Sequence, residues 1–207
     1  MRRIVIATRN PGKVREIQAV LGDLDVLAGG LDECADIHEP EETGATFAEN
    51  ARQKAVYYAA ATGQWCLADD SGLVVDALGG EPGVHSARYA ADRVPAGAGR
   101  HAIDQANNAR LLEELAGVPD GRRTARFVCH LALADGGQIL VEASDTIEGR
   151  IGRQARGENG FGYDPLFYLL DRDCTTAELP SGEKNQISHR GKALRHFASQ
   201  LKQLLSV

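Results

Sequence analysis

The apolar and polar positions in the first third of the chain predict a strand followed by two helices. Residues 3–7 are mostly apolar, which predicts a short buried strand, and residues 11–21 carry apolar side chains at helical spacing along one side. The segment 46–62 shows the same spacing, with Thr46 placed to open a capping box and Gly63 placed to end the helix. The chain therefore opens as a strand, a tight turn and a helix, and a second helix follows.

The middle of the chain predicts a strand in two pieces and then a third helix. Residues 65–69 and 73–75 have an extended pattern, and Asp70-Ser71-Gly72 is expected to interrupt them because these residue types favour turns. Residues 79–83 are rich in glycine and predict a loop, while residues 100–115 predict an amphipathic helix.

Two long extended segments in the second half predict an antiparallel hairpin. Residues 124–134 and 138–147 are extended in pattern, and Asp135-Gly136-Gly137 joins them. A short strand at 166–169 and a closing helix at 190–205 complete the chain. Because strands and helices alternate early and a hairpin comes later, the expected fold class is mixed α/β, a mixed sheet flanked by helices.

Length, composition and charge narrow the classes of protein. The chain has 207 residues, 43% of them apolar, which suits a single domain over 1–207 with its own core. No stretch approaches the ~20 apolar residues of a membrane span, and no secretory signal is evident, so we expect a cytoplasmic protein. The net charge of -6 argues against binding nucleic acid or anionic lipid. The four cysteines, at 34, 66, 129 and 174, are too scattered for a zinc site and predict reduced, mostly buried thiols.

The first candidate for chemistry is the turn between the first strand and the first helix. Asn10 can cap the helix, Pro11 suits its first position, and Gly12 lets a ligand approach the backbone. Free N–H groups at the helix start, with Arg9 and Lys13 beside them, would hold phosphate. A Walker loop is excluded because Gly12-Lys13 is not followed by Ser or Thr. A capped helix start with solvated charges is the alternative.

The second candidate for chemistry is a set of acidic side chains. Asp69 and Asp70 follow an apolar strand, and Glu39, Glu41 and Glu42 lie some thirty residues upstream. Carboxylate oxygens are hard ligands that suit Mg²⁺, which leaves other coordination positions for substrate phosphates and water. An ordinary turn at Asp70 and a solvated acidic loop are the alternatives.

Further polar and aromatic side chains suit a nucleotide. Asn50 and Lys54 share a helical face from which the lysine would reach a polyphosphate, unless that face is simply exposed. Near the C-terminus, the aromatic and glycine-containing segment that begins at Phe161 can stack on a base. Arg190 and His189 can supply selectivity, because an arginine can donate to the O6 and N7 acceptors of a purine. A buried aromatic core and an exposed basic helix start are the alternatives.

Seven stretches spread over the chain form one ordered set. They are T-R-N-P-G-K from Thr8, F-A-E-N-A-R-Q-K-A from Phe47, A-D-D-S-G-L from Ala68, G-G-E-P-G from Gly79, S-A-R-Y from Ser86, F-G-Y-D-P from Phe161 and K-N-Q-I-S-H-R from Lys184. In this order they resemble the inosine/xanthosine triphosphate pyrophosphatase family from end to end. The chain departs from the usual pattern at Arg9, at Pro11 and in the loop before Arg100, and none of these changes removes a functional group.

The resemblance implies a reaction, a cofactor and an assembly. Such enzymes hydrolyse non-canonical purine nucleoside triphosphates such as ITP, dITP and XTP to the monophosphate and pyrophosphate, which keeps these bases out of DNA and RNA. They use Mg²⁺, work as homodimers, and fold as elongated two-lobed proteins with the active site in the cleft between the lobes.

The resemblance also implies roles for individual residues. The triphosphate is expected to contact Lys54 and the turn residues Thr8, Arg9, Asn10, Pro11, Gly12 and Lys13. Mg²⁺ is expected on Glu41 and Asp70, and Asp70 is also the expected proton acceptor for the attacking water. Further substrate contacts are expected from Ser71, Phe161, Gly162, Tyr163, Asp164, Lys184, His189 and Arg190, the last two near the base. Lys13, Lys54 and Lys184 would stabilise negative charge in the transition state.

Other functions stay open. A pyrophosphatase of the Maf type prefers other nucleotides, but its S-x-S-P-R-R opening is missing here while Ser188-His189-Arg190 is present. A non-catalytic nucleotide sensor would bind without turnover and would not need a water-activating carboxylate at Asp70. A DNA-binding role is disfavoured because the chain is acidic and has no basic stripe.

Overall fold

A computed structural model describes residues 2–22, 24–31 and 37–206. Its strands are β1 (Arg2–Ile6), β2 (Val26–Gly29), β3 (Trp65–Val75), β4 (Thr124–Asp135), β5 (Gln138–Ile151) and β6 (Phe167–Leu169). Its α-helices are α1 (Pro11–Leu21), α2 (Phe47–Thr62), α3 (Arg100–Glu114), α4 (Ser181–Ile187) and α5 (His189–Leu205). Short 3-10 helices occupy several connections, including Gly83–Arg88 and Asp164–Leu166. Over the described ranges, no helix combines the length and the apolar character that crossing a membrane requires.

The six strands form one mixed sheet in the order β2-β1-β3-β4-β5-β6. Strand β1 runs parallel to both β2 and β3, whereas β6 pairs antiparallel with the end of β5. Only Gly136 and Gly137 separate β4 from β5, as expected for a tight hairpin. These observations confirm the mixed α/β class and the hairpin. Strand β5 extends four residues beyond the predicted segment, because Gly149, Arg150 and Ile151 pair with β6.

The expected break at Asp70-Ser71-Gly72 is wrong, because β3 runs without interruption from Trp65 to Val75. This strand lies between β1 and β4, and nine of its eleven residues are buried, so its backbone groups are committed to the sheet. The turn preference of aspartate depends on a side chain that bonds nearby backbone. Here the side chains of Asp69 and Asp70 bond to lysine and arginine side chains instead.

The ends of the first two helices follow from local sequence. Asn10 adopts an extended conformation as the N-cap of α1, and Pro11 begins that helix. Thr46 and Glu49 form a capping box at the start of α2, and Gly63 ends it with a φ of 64°. All of these features were predicted. Strand β2 and helix α4 were not, because four and seven residues are too short to show a clear apolar period.

The chain divides into two compact units. Unit 1 comprises Met1–Asp70, Cys129–Thr146 and Ser188–Val207. Alternate residues of β1 enter two separate apolar clusters, because successive side chains of a strand point to opposite faces. Ile4 and Ile6 pack with residues of α1 and α5, whereas Val5 and Ala7 pack with residues of α2.

Unit 2 comprises Ser71–Val128 and Ile147–Ile187 and has its own apolar cluster, built from the second half of β3, from α3 and from β6. Arg123 is 2% exposed and donates to three backbone carbonyls, those of Leu115, Ile151 and Gly152, over 2.6–2.8 Å. Burial lowers the pKa of this guanidinium, and the three carbonyls accept from three of its five N–H donors.

Candidate active site

The turn that precedes α1 is capped by its own side chain. The Asn10 Oδ1 atom accepts from the backbone N–H of Gly12 at 2.9 Å and of Lys13 at 3.3 Å. Pro11 has no N–H, so the first turn does not offer the free amides that we expected for phosphate. The Thr8 hydroxyl accepts from the Asn10 amide, and the exposed Arg9 donates to the Ile37 carbonyl. The donors that this turn can offer to a phosphate are therefore the charged side chains of Arg9 and Lys13 and not the amides of the helix start.

Two lysine ammonium groups meet at the middle of β3. Lys13 from α1 lies 2.6 Å from Asp69 Oδ1, and Lys54 from α2 lies 2.8 Å from Asp70 Oδ1. Both Nζ atoms also donate to the backbone carbonyl of Asp69, at 3.3 and 3.2 Å. Because neighbouring strand side chains point to opposite faces, Asp69 and Asp70 bring together two helices that pack on different sides of the sheet.

Asp69 is the centre of a buried ion cluster, which we define as Lys13, Glu16, Asp69 and Arg190. Its Oδ2 atom lies 2.6 Å from Arg190 Nε, and Arg190 Nη1 lies 2.6 Å from Glu16 Oε2. Burial alone would raise the pKa of Asp69, but Arg190 and Lys13 outweigh it and hold that pKa well below its usual range. The Cys129 thiol also donates to Asp69 Oδ2, and burial beside this carboxylate raises the thiol pKa.

The start of α5 is buried rather than exposed. His189 is 6% and Arg190 is 2% exposed, so the alternative of an exposed basic helix start is wrong. Ser188 caps the helix by accepting from the Gly191 amide at 3.0 Å. The Arg190 guanidinium is held by Asp69 and Glu16, so any contact with a base would have to be made from that fixed position.

Asp70 differs from Asp69 in its hydrogen-bond partners and in the direction in which its pKa is shifted. Its Oδ1 atom accepts from Lys54, but its buried Oδ2 atom has no hydrogen-bond partner among the described residues. Burial raises the pKa of Asp70, and Lys54 and Lys13 offset only part of that effect. For Lys54, burial lowers the pKa, but Asp70 and Glu42 more than compensate and the net pKa is raised. Lys54 is therefore charged, and the net effect on Asp70 is a pKa above its ordinary value.

Helix α2 also fixes the acidic segment upstream. Asn50 is fully buried, and its Oδ1 atom accepts from the Gly44 amide at 2.8 Å. One helical turn after Asn50, the Lys54 Nζ atom lies 2.8 Å from Glu42 Oε1. A Cβ on Gly44 would come within 2.6 Å of Asn50 Oδ1, so the backbone approaches the helix closely. The alternative of an exposed face at Asn50 and Lys54 is therefore wrong. Glu41, by contrast, is exposed.

The donor set around Asp70 fits a hard divalent cation. Asp70 Oδ2 is buried and unpartnered within the described ranges, and carboxylates of Glu41 and Glu42 belong to the segment that α2 holds beside it. Among the described residues there is no group of three or more His, Cys, Asp or Glu side chains that would enclose a metal by itself. The buried Asp70 Oδ2 atom is the kind of ligand that suits Mg²⁺, which proteins bind with one or two carboxylates together with phosphates and water.

In unit 2, the turn at residues 160–164 is fixed by Asp164. Asp164 Oδ2 accepts from the Phe161 amide at 2.8 Å and lies 2.5 Å from Lys184 Nζ, while its Oδ1 accepts from Thr176. A Cβ at Gly160 would lie 2.2 Å from Asp164 Oδ2, which explains glycine there. Phe161 is half-buried, with Lys184 Nζ 5.0 Å from its ring centre. The Phe161 ring is therefore the partly exposed group of the turn, whereas Lys184 is only 6% exposed and is held by Asp164.

The other residues predicted in unit 2 have mixed surroundings. Tyr163 is 4% exposed and belongs to the apolar cluster, and its hydroxyl donates to the Ser86 carbonyl at 2.9 Å. Burial raises the Tyr163 pKa far above its usual value. Gly162 has a φ of 62°, and its amide donates to Asp104. Ser71 is half-buried within β3.

Several contributing residues were not predicted. Glu16 is a member of the buried ion cluster, Cys129 contacts it, and Asp104 and Asn108 contact Gly162. Glu16 lies three residues after Lys13, so the two share a face of α1, and that spacing was the available signal. Asp104 and Asn108 are likewise four residues apart on one face of α3, but nothing near them in the sequence indicates that this face holds Gly162, and Cys129 carries no such spacing.

Comparisons with known proteins agree with this fold. The Ham1 family model matches residues 4–200. A protein of Geobacter sulfurreducens named dITP/XTP pyrophosphatase is 50% identical over 94% of both chains, and one of Bacillus subtilis with the same name is 46% identical over 97% of this chain and 98% of its own. Among solved structures, a HAM1 protein from Coxiella burnetii has a TM-score of 0.86 at 41% identity, covering 98% of this chain and 100% of its own.

A further solved structure, named nucleoside-triphosphatase and dITP/XTP pyrophosphatase, comes from Mycobacterium abscessus. It has a TM-score of 0.73 at 43% identity and covers 94% of this chain and 96% of its own. The likeness thus extends over nearly the whole of each protein in both sequence and fold. This chain belongs to the Ham1 family.

Proposed function

We propose that this protein hydrolyses non-canonical purine nucleoside triphosphates, namely ITP, dITP and XTP, to the nucleoside monophosphate and pyrophosphate. The observation that carries the proposal is the pair of ammonium groups, Lys13 and Lys54, converging beside the buried carboxylate of Asp70. Relatives that are 46–50% identical over nearly their full length bear the name dITP/XTP pyrophosphatase, which supports the choice of substrate.

Lys13 and Lys54 are the groups that would meet the triphosphate. Both side chains are mostly buried, so their charges act in surroundings where solvent screens them weakly. Their positions are set by Asp69 and Asp70 before a ligand arrives, so little reorganisation accompanies the reaction. Lys184 and the residues of the 8–13 turn complete the proposed phosphate contacts.

Asp70 would accept the proton of the attacking water. A carboxylate with a raised pKa is a better base, and burial is what raises the pKa of Asp70. Water then adds its hydroxide oxygen to phosphorus, the phosphoanhydride bond between the α and β phosphates breaks, and the water proton stays on Asp70. No covalent intermediate with the protein is required.

We further propose that the reaction depends on Mg²⁺ held by Asp70 and Glu41. When bound, the ion would neutralise phosphate charge and stabilise the charge that develops on the oxygens in the transition state. The unpartnered Asp70 Oδ2 atom supports this assignment. Glu42 is a second carboxylate of the same segment, and its contact with Lys54 suggests that it orients that ammonium group.

The purine base would contact Phe161, Gly162 and His189. The ring of Phe161 is partly exposed and can stack on a base, while the proposed contribution of Arg190 is made from its fixed place beside Asp69. Tyr163 and Asp164 would shape this subsite, because their polar atoms already bond to the protein. Ser71 would complete the substrate contacts.

We also propose that the protein works as a homodimer in the cytoplasm, where it removes non-canonical nucleotides from the nucleotide pool.

The test is a panel of ITP, dITP, XTP, GTP, ATP, UTP and dTTP, incubated with the protein with and without Mg²⁺. We expect release of pyrophosphate, not orthophosphate, from ITP, dITP and XTP only, and no release after chelation with EDTA. Turnover chiefly of UTP or dTTP would favour a Maf-type specificity instead. Tight binding of ITP without turnover would identify a sensor and refute the proposed hydrolysis.

Two neighbouring glutamates should respond differently to the same substitution. We expect Glu41→Gln to raise the Mg²⁺ concentration for half-maximal activity by at least about tenfold, because losing even a supporting group of a metal site costs about 10–100-fold in affinity. Glu42→Gln should instead raise the KM for ITP, because Lys54 loses a partner that orients it. Magnesium titrations at saturating ITP measure the first effect, and ITP titrations at saturating Mg²⁺ measure the second. An exchange of the two responses would move the metal ligand to Glu42.

A further inference from the structure

We infer that Asp104 and Asn108 of α3 are positioning residues that hold the turn 160–164 and thereby set how tightly the protein binds the base of its nucleotide. The inference rests on the proposed function, in which this turn contacts the base. Neither residue lies in any of the seven stretches that carry the family resemblance.

The two side chains form hydrogen bonds with both polar backbone groups of Gly162, its N–H and its carbonyl. The Gly162 N–H donates to Asp104 Oδ2 at 3.0 Å, and Asn108 Nδ2 donates to the Gly162 carbonyl at 3.0 Å. Asp104 and Asn108 are four residues apart, so they lie on the same face of α3, one turn from each other. Arg100, one turn earlier, pairs with Asp104 Oδ1 at 3.0 Å and so helps to orient that carboxylate.

Gly162 is a point at which the turn would otherwise be free to move. Its φ of 62° lies in the left-handed region, and glycine loses more conformational freedom on ordering than any other residue. On the far side, the turn is fixed by Asp164 through Lys184 and Thr176. The Phe161 ring belongs to the same turn, so its orientation depends on both attachments.

The same turn of α3 also holds the segment that receives Tyr163. Asn107 donates to the carbonyl of Ser86 at 3.3 Å and accepts from the amide of Ala90 at 2.7 Å. The Tyr163 hydroxyl donates to that same Ser86 carbonyl. Helix α3 therefore holds the turn directly at Gly162 and indirectly through Tyr163.

A positioning role predicts a selective effect on ligand binding. Loosening the turn at Gly162 weakens contacts with the base, whereas the proposed phosphate contacts Lys13, Lys54 and Lys184 keep their own carboxylate partners. We expect the Kd for IMP to rise roughly tenfold in Asp104→Ala and Asn108→Ala, the size of effect that loss of one hydrogen bond gives. The Kd for pyrophosphate, which carries no base, should stay within about twofold of the wild-type value.

The experiment is calorimetric titration of IMP and of pyrophosphate into wild type and variants with Mg²⁺ present, together with KM and kcat for ITP. Gln105→Ala is the matched control, because Gln105 is exposed on the same helix. Asp104→Asn keeps an oxygen that can accept from Gly162, so it should recover most of the IMP affinity. The KM for ITP should rise in the alanine variants while kcat changes by less than about threefold, since ground-state binding is what is lost.

The outcomes separate this inference from the proposed function. If the wild type hydrolyses ITP but the alanine variants bind IMP normally, or lose IMP and pyrophosphate affinity equally, the positioning role is refuted. If the wild type does not hydrolyse ITP, the proposed function fails, whatever the variants do. Should Asp104→Ala not fold, Asn108→Ala and Asp104→Asn provide the same comparison.

Discussion

Asp70→Asn should lower kcat for ITP by at least about a thousandfold, within the range of 10²–10⁴ that a positioned general base contributes. The amide cannot accept the proton of the attacking water, and it offers a weaker oxygen to a cation. Initial rates of pyrophosphate release at saturating ITP and Mg²⁺ measure the loss. Unaltered turnover in this variant would refute the assignment of Asp70.

The fold should survive this substitution. Burial raises the pKa of Asp70, so its charged form is less favourable in the folded protein than in the unfolded chain, and a neutral amide removes that cost. Lys54 keeps Glu42 and the Asp69 carbonyl as partners. The urea midpoint should therefore stay close to that of the wild type. Asp76→Asn is the matched control for activity, because Asp76 is exposed just after β3 and should leave turnover unchanged.

Arg190→Met should lower the free energy of unfolding by about 3–5 kcal/mol, as expected when one partner of a buried ion pair is removed. Asp69 loses Arg190 and retains Lys13, and Glu16 loses its partner Arg190 Nη1. Equilibrium urea unfolding at pH 7 measures the change. Gln203→Met is the control on the same helix, since Gln203 is exposed and its substitution should cost no more than about 0.5 kcal/mol.

The deficit of Arg190→Met should shrink as the pH is lowered toward about 4, the ordinary pKa of aspartate. In the wild type, the depressed pKa of Asp69 stabilises the fold above that pH, and this contribution is lost as the pH falls through the folded-state pKa. In the variant, burial without Arg190 raises the Asp69 pKa, so protonation relieves part of the cost. A deficit that is constant from pH 4 to 7 would contradict the role of Asp69 as the charged partner.

Local chemistry explains what the sequence could predict. The cap at Asn10, the capping box at Thr46 and the glycine that ends α2 each act within four residues, so their signals are complete in a short window. The hairpin between β4 and β5 is local in the same way. These features, together with the family resemblance, were enough to anticipate the fold class and to name Lys13, Lys54 and Asp70 as candidates.

Pairing between residues far apart in the chain explains what the sequence could not predict. Arg190 meets Asp69 across 121 positions and Glu16 across 174, and no local pattern records such a pair. The expected turn at Asp70 failed for the same reason, because the distant cations that make a buried aspartate favourable in β3 are invisible in the window 68–73. The cap at Asn10 was predicted, but its consequence, that it occupies the amides expected for phosphate, needed the measured distances.

The convergence of ammonium and carboxylate groups at β3 also bears on how a highly charged ligand reaches unit 1. The charged side chains that contact one another there are Lys13, Lys54 and Arg190 against Glu16, Glu42, Asp69 and Asp70. Among the described residues, three cations of this cluster face four carboxylates, so the cluster by itself is close to neutral and slightly negative when Asp70 is ionised. It therefore adds little long-range attraction for a free polyphosphate, and salt has little of that attraction to screen. A triphosphate that arrives with a counter-ion bound meets less repulsion from this cluster than a bare triphosphate does. We therefore expect the protein to distinguish its ligands by the contacts that it makes with them, and not by long-range attraction.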